Sequence, residues 1–464
     1  MNSTAGVADI AKAVSTAQTT AKAVVIGALA RIEANNGRVN AFTDVTASRA
    51  MEQAERVDAL VRDGKKLPLA GVPFTAKNLF DLKGVVTRAG SKINRDNAPA
   101  IADAMLVQKL EAAGAVCLGA ANMDEYAYGF TGENAHDGPT HNPHGIDHMT
   151  GGSSAGPAAA VAAGMVPLSL GSDTNGSIRV PASFCGLFGL KPTYGRLSRT
   201  GAKLFVAGLD HVGPLARSVE DVALSYDALQ GFDADDPVLV RRPLEAVTER
   251  LERGSAGLRI AVADGYFGGE GEVREMMDRV AKSLQITRRI TIPEAQAARA
   301  AAFLITMSEG AALHAQQLRT RAQDFDPDVR DRLLAGALLP SGWIERAQKF
   351  RRWFQGEMLN LLEGVDAIIA PSTPMRAPKI GQKTATFGGV EMPVRPNLGI
   401  FTQPFSFVGL PVAAVPIAMD GQAMPLGMQV IAGPWREDFA LRVARQLEKN
   451  GLAKAPVARG FADE

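Results

Sequence analysis

Apolar residues near the start of the chain recur at helical spacing. Val25, Leu29 and Ile32 stand four and three residues apart, and two threonines that can cap a helix precede them. A second stripe of apolar residues runs from Val45 to Val61, and Gly64 follows it, a residue type that often ends helices. This pattern predicts two consecutive amphipathic helices.

The pattern then changes to short apolar segments that Gly and Pro interrupt. Such segments are typical of strands buried on both faces of a sheet. Between two of them, a helix is predicted that has Asp103 as its cap, carries Leu106 and Leu110 and ends at Gly114. This alternation of strands and helices predicts an α/β fold. The strand-like segments are LAGVPFTAK near residue 70, AVCLGA at 115–120 and VPLSLGSD near residue 170.

The second half of the chain repeats these signals around a helical segment. LRIAVA predicts one more strand, residues from about 270 to 362 read as mostly helical, and DAIIAPSTP and LPVAAVPI restore the strand pattern. Phe439, Val443 and Leu447 predict a final helix that ends near Gly451. We expect the helical segment to cover a single domain over residues 1–464 and not to form a second one.

Charge and composition narrow the possible functions. The chain has 464 residues, with 50 Lys and Arg against 49 Asp and Glu and a net charge of +1. Binding to nucleic acid or to an anionic membrane needs clustered excess positive charge, so neither is expected as a direct partner. Hydrophobic residues make up 46% of the chain, which excludes a wholly disordered protein.

Signals for membranes and secretion are weak. The uncharged run His148–Ser172 consists mainly of Gly, Ser and Ala and contains two prolines, unlike a membrane span. Residues 1–20 lack the charged and apolar regions of a secretory signal. The two cysteines, Cys117 and Cys185, have no CxxC spacing, and this favours the reducing cytoplasm.

The stretch Thr150–Pro192 carries the densest chemistry. It contains two turns of small residues, GGSSAG and SDTNGS, joined by an Ala-rich helix and an apolar strand. Glycine lets the backbone approach a ligand closely, and backbone N–H groups at such turns can stabilise an oxyanion. Serine is the available nucleophile. Because its hydroxyl is weak at neutral pH, it needs a base.

Three arrangements could supply that chemistry. His136, His141, His144 and His148 lie in a Pro- and Gly-rich loop with no helix to align them, so loop histidines explain them better than a metal site, and no metal is expected. GSSAG also fits the G-x-S-x-G nucleophile elbow, but an elbow follows a strand directly, and the segment before this one is polar and loop-like. A buried lysine is the third option.

The option of a lysine base agrees with a resemblance of the sequence to the amidase signature family. GGSSAG followed by SDTNGSIRVPASFCGLFGLKPTYGRLS looks like the family signature, and blocks such as NMDEYAYGFTGEN and PLGMQVIAGPWRE extend the resemblance over about residues 22–447. Members of this family hydrolyse amides with a Ser–cis-Ser–Lys triad. At the family's spacing, the resemblance implies Ser177 as the nucleophile, Ser153 as the cis serine and Lys77 as the base.

The same resemblance implies a fold and an oxyanion site. The fold would be an α/β amidase signature fold, with a central mixed and twisted β-sheet covered by helices on both faces, and no cofactor. The oxyanion would meet the backbone N–H groups of Thr174, Asn175, Gly176 and Ser177. The turn departs from the family's usual D-T-G-G-S at Asn175, whose amide would either contact substrate or only tolerate a left-handed conformation.

Four further side chains are candidate substrate contacts, namely Tyr126, Ser154, Arg179 and His314. For Arg179, an ion pair with Asp173 is the competing structural role. For Ser154, the competing role is that of a turn or helix-capping hydroxyl.

Within the family, KNLFD, AGSKIN and the D-T-N-G-S turn resemble the branch that removes ammonia from 1-carboxybiuret to give urea-1,3-dicarboxylate in cyanuric acid degradation. That branch works with a small helical accessory subunit that resembles the C subunit of tRNA-dependent amidotransferases, which implies a dimer of heterodimers. A carboxylated substrate favours a bidentate arginine in its pocket. The candidate arginines are Arg88, Arg179 and Arg395.

Three alternatives remain open. NMDEYAYG also resembles the glutaminase-type A subunit of Asp/Glu-tRNA amidotransferases, which would release ammonia from glutamine. A broad small-amide amidase would use the same triad. A catalytically inactive scaffold is disfavoured, because Lys77, Ser153 and Ser177 are all present.

Overall fold

The computed structural model describes residues 2–419 and 424–463. Its strands are β1 Phe42–Val45, β2 Pro73–Lys77, β3 Val116–Ala121, β4 His141–Asn142, β5 Gly145–Met149, β6 Leu168–Asp173, β7 Phe188–Lys191, β8 His211–Ala216, β9 Ile260–Asp264, β10 Arg289–Thr291, β11 Ala367–Pro371, β12 Thr384–Phe387, β13 Val390–Pro393, β14 Val412–Ile417 and β15 Leu426–Ala432.

The helices alternate with these strands. They are α1 Val7–Ser15, α2 Ala21–Val39, α3 Ala47–Arg62, α4 Met105–Ala112, α5 Ala155–Ala162, α6 Arg179–Cys185, α7 Val219–Leu229, α8 Gly271–Ser283, α9 Ala295–Leu313, α10 Ala315–Thr320, α11 Pro327–Ala337, α12 Ser341–Gly364, α13 Val394–Asn397, α14 Gln403–Phe407 and α15 Glu437–Lys449, with short 3₁₀ turns at Ile93–Asp96, Glu125–Ala127, Thr248–Arg253, Gly265–Phe267 and Ala322–Asp324.

Eleven strands form one mixed sheet in the order β1-β3-β2-β6-β8-β7-β14-β15-β11-β9-β10. Strands β3, β2 and β6 are parallel neighbours, and so are β11, β9 and β10. The remaining pairs, such as β6 with β8 and β14 with β15, are antiparallel. The sequence-based prediction of an α/β fold with a mixed sheet is confirmed.

Helices cover both faces of this sheet. Every residue of β2, β3, β6 and β11 is buried, which requires cover on both sides. One group of helices, α5 and α6, packs on β6, β7 and β14, and the other, α7 and α15, packs on β7, β8 and β14. The members of each group also contact each other.

The segment predicted to be helical, about residues 270–362, contains α8 to α12. It also contains one short strand, β10, which the apolar pattern did not predict. Helix α9 packs against α11, α12 and α14. None of the described helices is both long and apolar enough to cross a membrane.

The predicted element ends differ from the structure in instructive places. Thr20 caps α2 by accepting a hydrogen bond from the backbone N–H of Ala23, as its position predicted. The prediction that Asp103 caps α4 was wrong, because its carboxylate accepts from the side chain of Arg49 and from the backbone N–H of Lys83. Strand β1 and helix α1 were not predicted, and β5 lies where a loop was expected.

Candidate active site

Two parallel neighbouring strands bring the candidate catalytic residues to one edge of the sheet. Lys77 is the last residue of β2, and Asp173 is the last residue of β6. In the register, Ala76 stands beside Leu170, so β6 continues two residues further than β2 at this end of the sheet. The turn that contains Ser177 therefore begins just beyond the level of the lysine.

Lys77 is completely buried and hydrogen-bonded to two serines. Its Nζ donates to Ser153 Oγ at 2.7 Å and to Ser172 Oγ at 2.9 Å. Burial lowers the pKa of Lys77 to about 7, although the carboxylates of Asp124, Asp210 and Asp173 act in the opposite direction. A substantial fraction of Lys77 is therefore neutral near pH 7 and can accept a proton.

The GGSS turn holds Ser153 against this lysine. The Gly152–Ser153 peptide bond is cis. A Cβ atom at position 152 would lie 1.7 Å from Asp124 Oδ2, so only glycine fits there. The backbone N–H of Ser154 donates to the carbonyl oxygen of Ser177 at 3.3 Å, and this bond ties the two small-residue turns together.

A buried ion pair supports the second turn. Arg179 donates from Nε and Nη2 to the carboxylate of Asp173, both at 3.0 Å. Burial alone would raise the pKa of Asp173, but the Arg179 guanidinium lowers it, and the resulting pKa lies well below the usual range. Asp173 also accepts from the backbone N–H of Ile178 at 3.1 Å, which fixes the chain just after Ser177.

The turn at residues 174–177 presents unused backbone donors. Within the described residues, none of its four backbone N–H groups donates to another protein atom. A Cβ atom at Gly176 would lie 2.1 Å from Thr402 Oγ1, so this position also needs glycine. The Asn175 amide donates from Nδ2 to Thr306 Oγ1 on α9 at 3.0 Å, and its Oδ1 is buried with no partner.

A small, mostly enclosed cavity opens on Ser177. The helices of the covering segment supply one wall of it, through α9 and α11. Further lining residues come from the turn after the Glu125–Ala127 segment and from the turn at residues 174–177. The latter is called the nucleophile turn because it holds the predicted nucleophile, Ser177. The lining residues are Ala127, Tyr128, Gly129, Phe130, Thr174, Asn175, Ser177, Phe205, Phe303, Thr306, Arg332, Pro396 and Gln403.

Comparison with known proteins identifies the family. The Amidase family model matches residues 23–441. The chain belongs to the amidase family. The amidase triad residues implied by the sequence, Lys77, Ser153 and Ser177, all fall within the matched range.

Three relatives illustrate the similarity. The chain is 50% identical over 450 residues to the AtzE subunit of 1-carboxybiuret hydrolase from Pseudomonas sp. (strain ADP), covering 96% of this chain and 98% of the relative. It is 37% identical to the A subunit of glutamyl-tRNA(Gln) amidotransferase from Acinetobacter baumannii (strain AB0057), covering 95% of each. A solved, inhibitor-bound structure of an unexpected vestigial protein complex, which reveals the evolutionary origins of an s-triazine catabolic enzyme, superposes with a TM-score of 0.96 at 49% identity, over 97% of this chain and 100% of that one.

Two of the predicted substrate contacts are structural in this amidase. Arg179 is fully buried, and its remaining donors bind Thr402, Gln429 and Ser406, so all five of its N–H groups are occupied. The prediction that Arg179 binds substrate was wrong, and its ion pair with Asp173 is the observed role.

Ser154 is likewise occupied by protein. Its hydroxyl donates to the carbonyl oxygen of Ser172 at 3.1 Å and accepts from the Ser172 backbone N–H at 3.2 Å. It makes no capping bond to α5. The predicted substrate contact is therefore replaced by a role in holding the GGSS turn against the end of β6.

Tyr126 and His314 contact each other beside the cavity and are absent from its lining. Their ring centroids are 3.9 Å apart, and Phe325 packs against both. Burial lowers the pKa of His314 to about 4, and Lys203 adds to this effect. Of these aromatic residues and the nearby Tyr128, only Tyr128 is among the described residues that line the cavity.

Of the predicted substrate-binding arginines, neither Arg88 nor Arg395 is among the described residues that line the Ser177 cavity. Arg88 pairs with Asp44 at 2.7 Å in a different surface cleft. Arg395 pairs with Asp328 at 3.0 Å, and a neighbouring cleft holds both. Arg332, which lines the Ser177 cavity, was not predicted from the sequence.

Arg332 is held in place by the backbone and by an aromatic ring. Its Nε donates to the carbonyl oxygen of Asp328 at 2.7 Å, and its Nη2 donates to that of Tyr128. The guanidinium lies 3.8 Å from the centroid of the Tyr128 ring. Nothing in a single sequence distinguishes this helical arginine from others on α11.

The loop histidines and the GSSAG motif have the following surroundings in the structure. Among the described residues, no group of three or more His, Cys, Asp or Glu is arranged to hold a metal ion. His141 and His144 instead bond to the carbonyl oxygens of Ile146 and Cys185. The strand before the GSSAG motif, β5, lies in a two-stranded sheet with β4 and bridges to Lys379. It is not a strand of the central sheet, as a nucleophile elbow would require.

Proposed function

We propose that this amidase hydrolyses 1-carboxybiuret to urea-1,3-dicarboxylate and ammonia through an acyl-enzyme. The observation that carries the catalytic part is the 2.7 Å hydrogen bond from the buried Lys77 to Ser153, beside the turn that holds Ser177. The substrate part rests on the 50% identity to a protein of 1-carboxybiuret hydrolase over nearly the whole chain.

Proton transfer would run from Ser177 through Ser153 to Lys77. Neutral Lys77 accepts the Ser153 proton while Ser153 accepts the Ser177 proton, and Ser177 Oγ attacks the terminal amide carbon. The carbonyl oxygen becomes an oxyanion and accepts hydrogen bonds from the backbone N–H groups at residues 174–177, which have no protein partner within the described chain. Each important donor in such a site contributes ~3–4 kcal/mol to catalysis.

Collapse of the tetrahedral intermediate breaks the C–N bond. The leaving nitrogen takes a proton from Ser153, which recovers one from Lys77, and ammonia departs. Water then attacks the Ser177 ester, giving its proton to the same relay, with Lys77 again neutral at the start. The product carries away the acyl group as a new carboxylate, and the triad is restored.

The cavity offers a partner for the carboxylate of such a substrate. Arg332 lines the cavity, and two of its nitrogens are anchored to backbone carbonyls, so the guanidinium is preorganised. A carboxylate at the far end of the acyl chain would replace water at the Nη1 atom of Arg332, for which no protein hydrogen bond is present in the described residues.

The same proposal includes an accessory subunit. The superposable s-triazine enzyme structure is of a protein complex, and this supports an accessory partner. From the family resemblance we further propose that this partner is a small helical subunit resembling an amidotransferase C subunit, in a dimer of heterodimers. We also propose a single amidase signature domain over residues 1–464 and a cytoplasmic location. Two cysteines in the whole chain, both buried and free, support the location.

The test is ammonia release from a panel of 1-carboxybiuret, biuret, malonamate, glutamine and an aliphatic amide, with and without a coexpressed accessory subunit. We expect the highest kcat/KM on 1-carboxybiuret. Ser177→Ala lowers that value by about 10⁴-fold or more, because the nucleophile is lost. Ser225→Ala, which removes a buried hydroxyl bonded only to the backbone of α7, is the matched control and retains activity.

The other outcomes are equally informative. A preference for glutamine would support the glutaminase-type alternative, to which the 37% identical relative corresponds. Equal turnover of all the amides would indicate a broad amidase. Undiminished activity in Ser177→Ala would refute the assignment of the nucleophile.

A further inference from the structure

Asn175 stands out in the active-site cavity because half of its amide has a partner and half does not. Its Nδ2 donates to Thr306 Oγ1 at 3.0 Å, which fixes the amide plane across the gap between the nucleophile turn and α9. Its Oδ1 is buried and accepts no hydrogen bond from any residue that the structure describes. A buried amide oxygen without a partner has lost its hydrogen bonds to water and gained none in return, so a ligand donor there would be strongly favoured.

The backbone gives no other reason for this residue. Asparagine is often selected because it tolerates a left-handed conformation, but Asn175 does not have a positive φ, whereas the adjacent Gly176 does, at +141°. Both Asn175 and its anchor Thr306 line the cavity that holds Ser177. The side chain is therefore placed for contact with whatever occupies the cavity.

The geometry of the reaction indicates which part of a substrate meets Asn175. The leaving nitrogen must lie at Ser153, which returns its proton, and neither Ser153 nor Lys77 is among the described residues that line the cavity. The acyl chain consequently extends from the attacked carbon into the cavity. Of the atoms of the acyl chain, the one bonded directly to the attacked carbon lies closest to the nucleophile turn.

We propose that Asn175 Oδ1, held by Thr306, accepts a hydrogen bond from an N–H on the acyl side of the attacked carbonyl. The enzyme thereby selects ureido substrates, N–CO–NH₂, over carboxamides, C–CO–NH₂. This inference rests on the proposed function, since 1-carboxybiuret has such an N–H, and it names the group that the site recognises. A carboxamide puts a CH₂ at the same place and leaves Oδ1 buried without a donor.

Two small acids test this with a difference of one group. N-carbamoylglycine, H₂N–CO–NH–CH₂–COO⁻, and succinamate, H₂N–CO–CH₂–CH₂–COO⁻, have the same length and charge and differ only in NH against CH₂ beside the amide. Their Kd values are measured by calorimetry on the full chain carrying Ser177→Ala, which prevents turnover. We expect N-carbamoylglycine to bind about tenfold more tightly, or better.

Three variants in that background identify the source of the preference. Asn175→Ala brings the ratio of the two Kd values to about one. Thr306→Val removes the anchor without removing the acceptor, and lowers the ratio partway. Phe303→Leu, at an apolar position in the same cavity wall, changes both Kd values together and leaves the ratio intact.

The binding measurement is independent of the proposed substrate. Absence of turnover of 1-carboxybiuret would refute the proposed function and leave the ratio of the two Kd values still readable. A ratio near one in the parent protein, no binding of N-carbamoylglycine, or a ratio that persists in a folded Asn175→Ala protein would overturn the inference. Thermal unfolding of each variant establishes that it is folded.

Discussion

At the residue scale, the pKa of Lys77, the proposed base, is set by a balance between burial and charge. Burial lowers the pKa of Lys77 to about 7, and the nearest carboxylates keep it from falling further. Of these carboxylates, Asp124 has the largest effect on the pKa of Lys77, and it is itself fully buried. Because Lys77 must be neutral to act, activity should rise as the pH increases through about 7.

Replacing Asp124 should move this pH dependence. Asp124→Asn keeps the shape and an acceptor for the Gly132 N–H but removes a negative charge that stabilises protonated Lys77. The pKa of Lys77 then falls, and the acid limb of the kcat/KM profile shifts to lower pH. The profile is measured by ammonia release between about pH 5 and 9.

The control for this shift is Asp278→Asn, at an exposed position paired with Arg289, which should leave the acid limb in place. An unchanged limb in Asp124→Asn, or a shift to higher pH, would show that Lys77 is not the group that controls it.

A second residue-scale prediction concerns the fit of the GGSS turn. Gly152→Ala places a Cβ atom 1.7 Å from Asp124 Oδ2, so either the turn or the carboxylate must move. We expect a loss of about 2 kcal/mol or more in stability, with activity near background. Gly342→Ala on α12, where a Cβ meets nothing within 4 Å, should be neutral or slightly stabilising. Comparable thermal midpoints for the two variants would contradict this.

At the scale of elements, the sequence predicts the strands that carry the site better than it predicts which helix residues face the site. β2 and β6 could be recognised as buried strands from their apolar runs, and the family resemblance then located Lys77 at the end of β2 and Ser177 in the turn after β6. Thr306 and Arg332 could not be found this way. They lie on α9 and α11, and a single sequence carries no signal for which face of a covering helix turns toward a distant turn.

The competing roles of Arg179 show the same limit. Its proximity to Asp173 in sequence made an ion pair plausible, but only the structure shows that α14 and β15 supply the remaining acceptors and leave no donor for a ligand. The capping role of Asp103 failed for a related reason, since a long-range partner, Arg49, outcompeted the local backbone.

This ion pair yields a prediction about how elements are held together. Arg179→Met leaves the Asp173 charge buried without compensation, and we expect a loss of about 3–5 kcal/mol in the free energy of unfolding. Arg289→Met, which breaks half-exposed pairs with Asp264 and Asp278, should cost about 1 kcal/mol or less. Urea unfolding gives both values.

A double variant separates charge from packing. Asp173→Asn combined with Arg179→Met removes the uncompensated charge and should recover part of the lost stability. If the single and double variants were equally unstable, packing of the long side chain and not the buried charge would explain the loss.

At the scale of the whole molecule, the fold buries two lysines in surroundings that favour their neutral form. Lys77 and Lys191 are both fully buried, and burial lowers the pKa of each. Lys191 donates to the carbonyl oxygens of Leu410 and Pro192 and takes no part in the proposed chemistry. The proposed mechanism uses only Lys77, and replacing this lysine measures how it affects the pH dependence of stability.

The folded pKa of Lys77, about 7, lies below its ordinary value of 10.5, so between these limits the unfolded chain binds one more proton than the folded chain at this site. The free energy of unfolding therefore gains about 1.4 kcal/mol per pH unit from Lys77 as the pH rises from about 8 to 9.5. Lys77→Met should lower the measured slope by that amount while abolishing activity, and Lys379→Met, at an exposed position, should leave the slope unchanged. Every other titrating group, including the two buried cysteines, is common to the parent and to Lys77→Met. An equal slope of unfolding free energy against pH in these two proteins would therefore mean that Lys77 is protonated in the folded protein and cannot be the base.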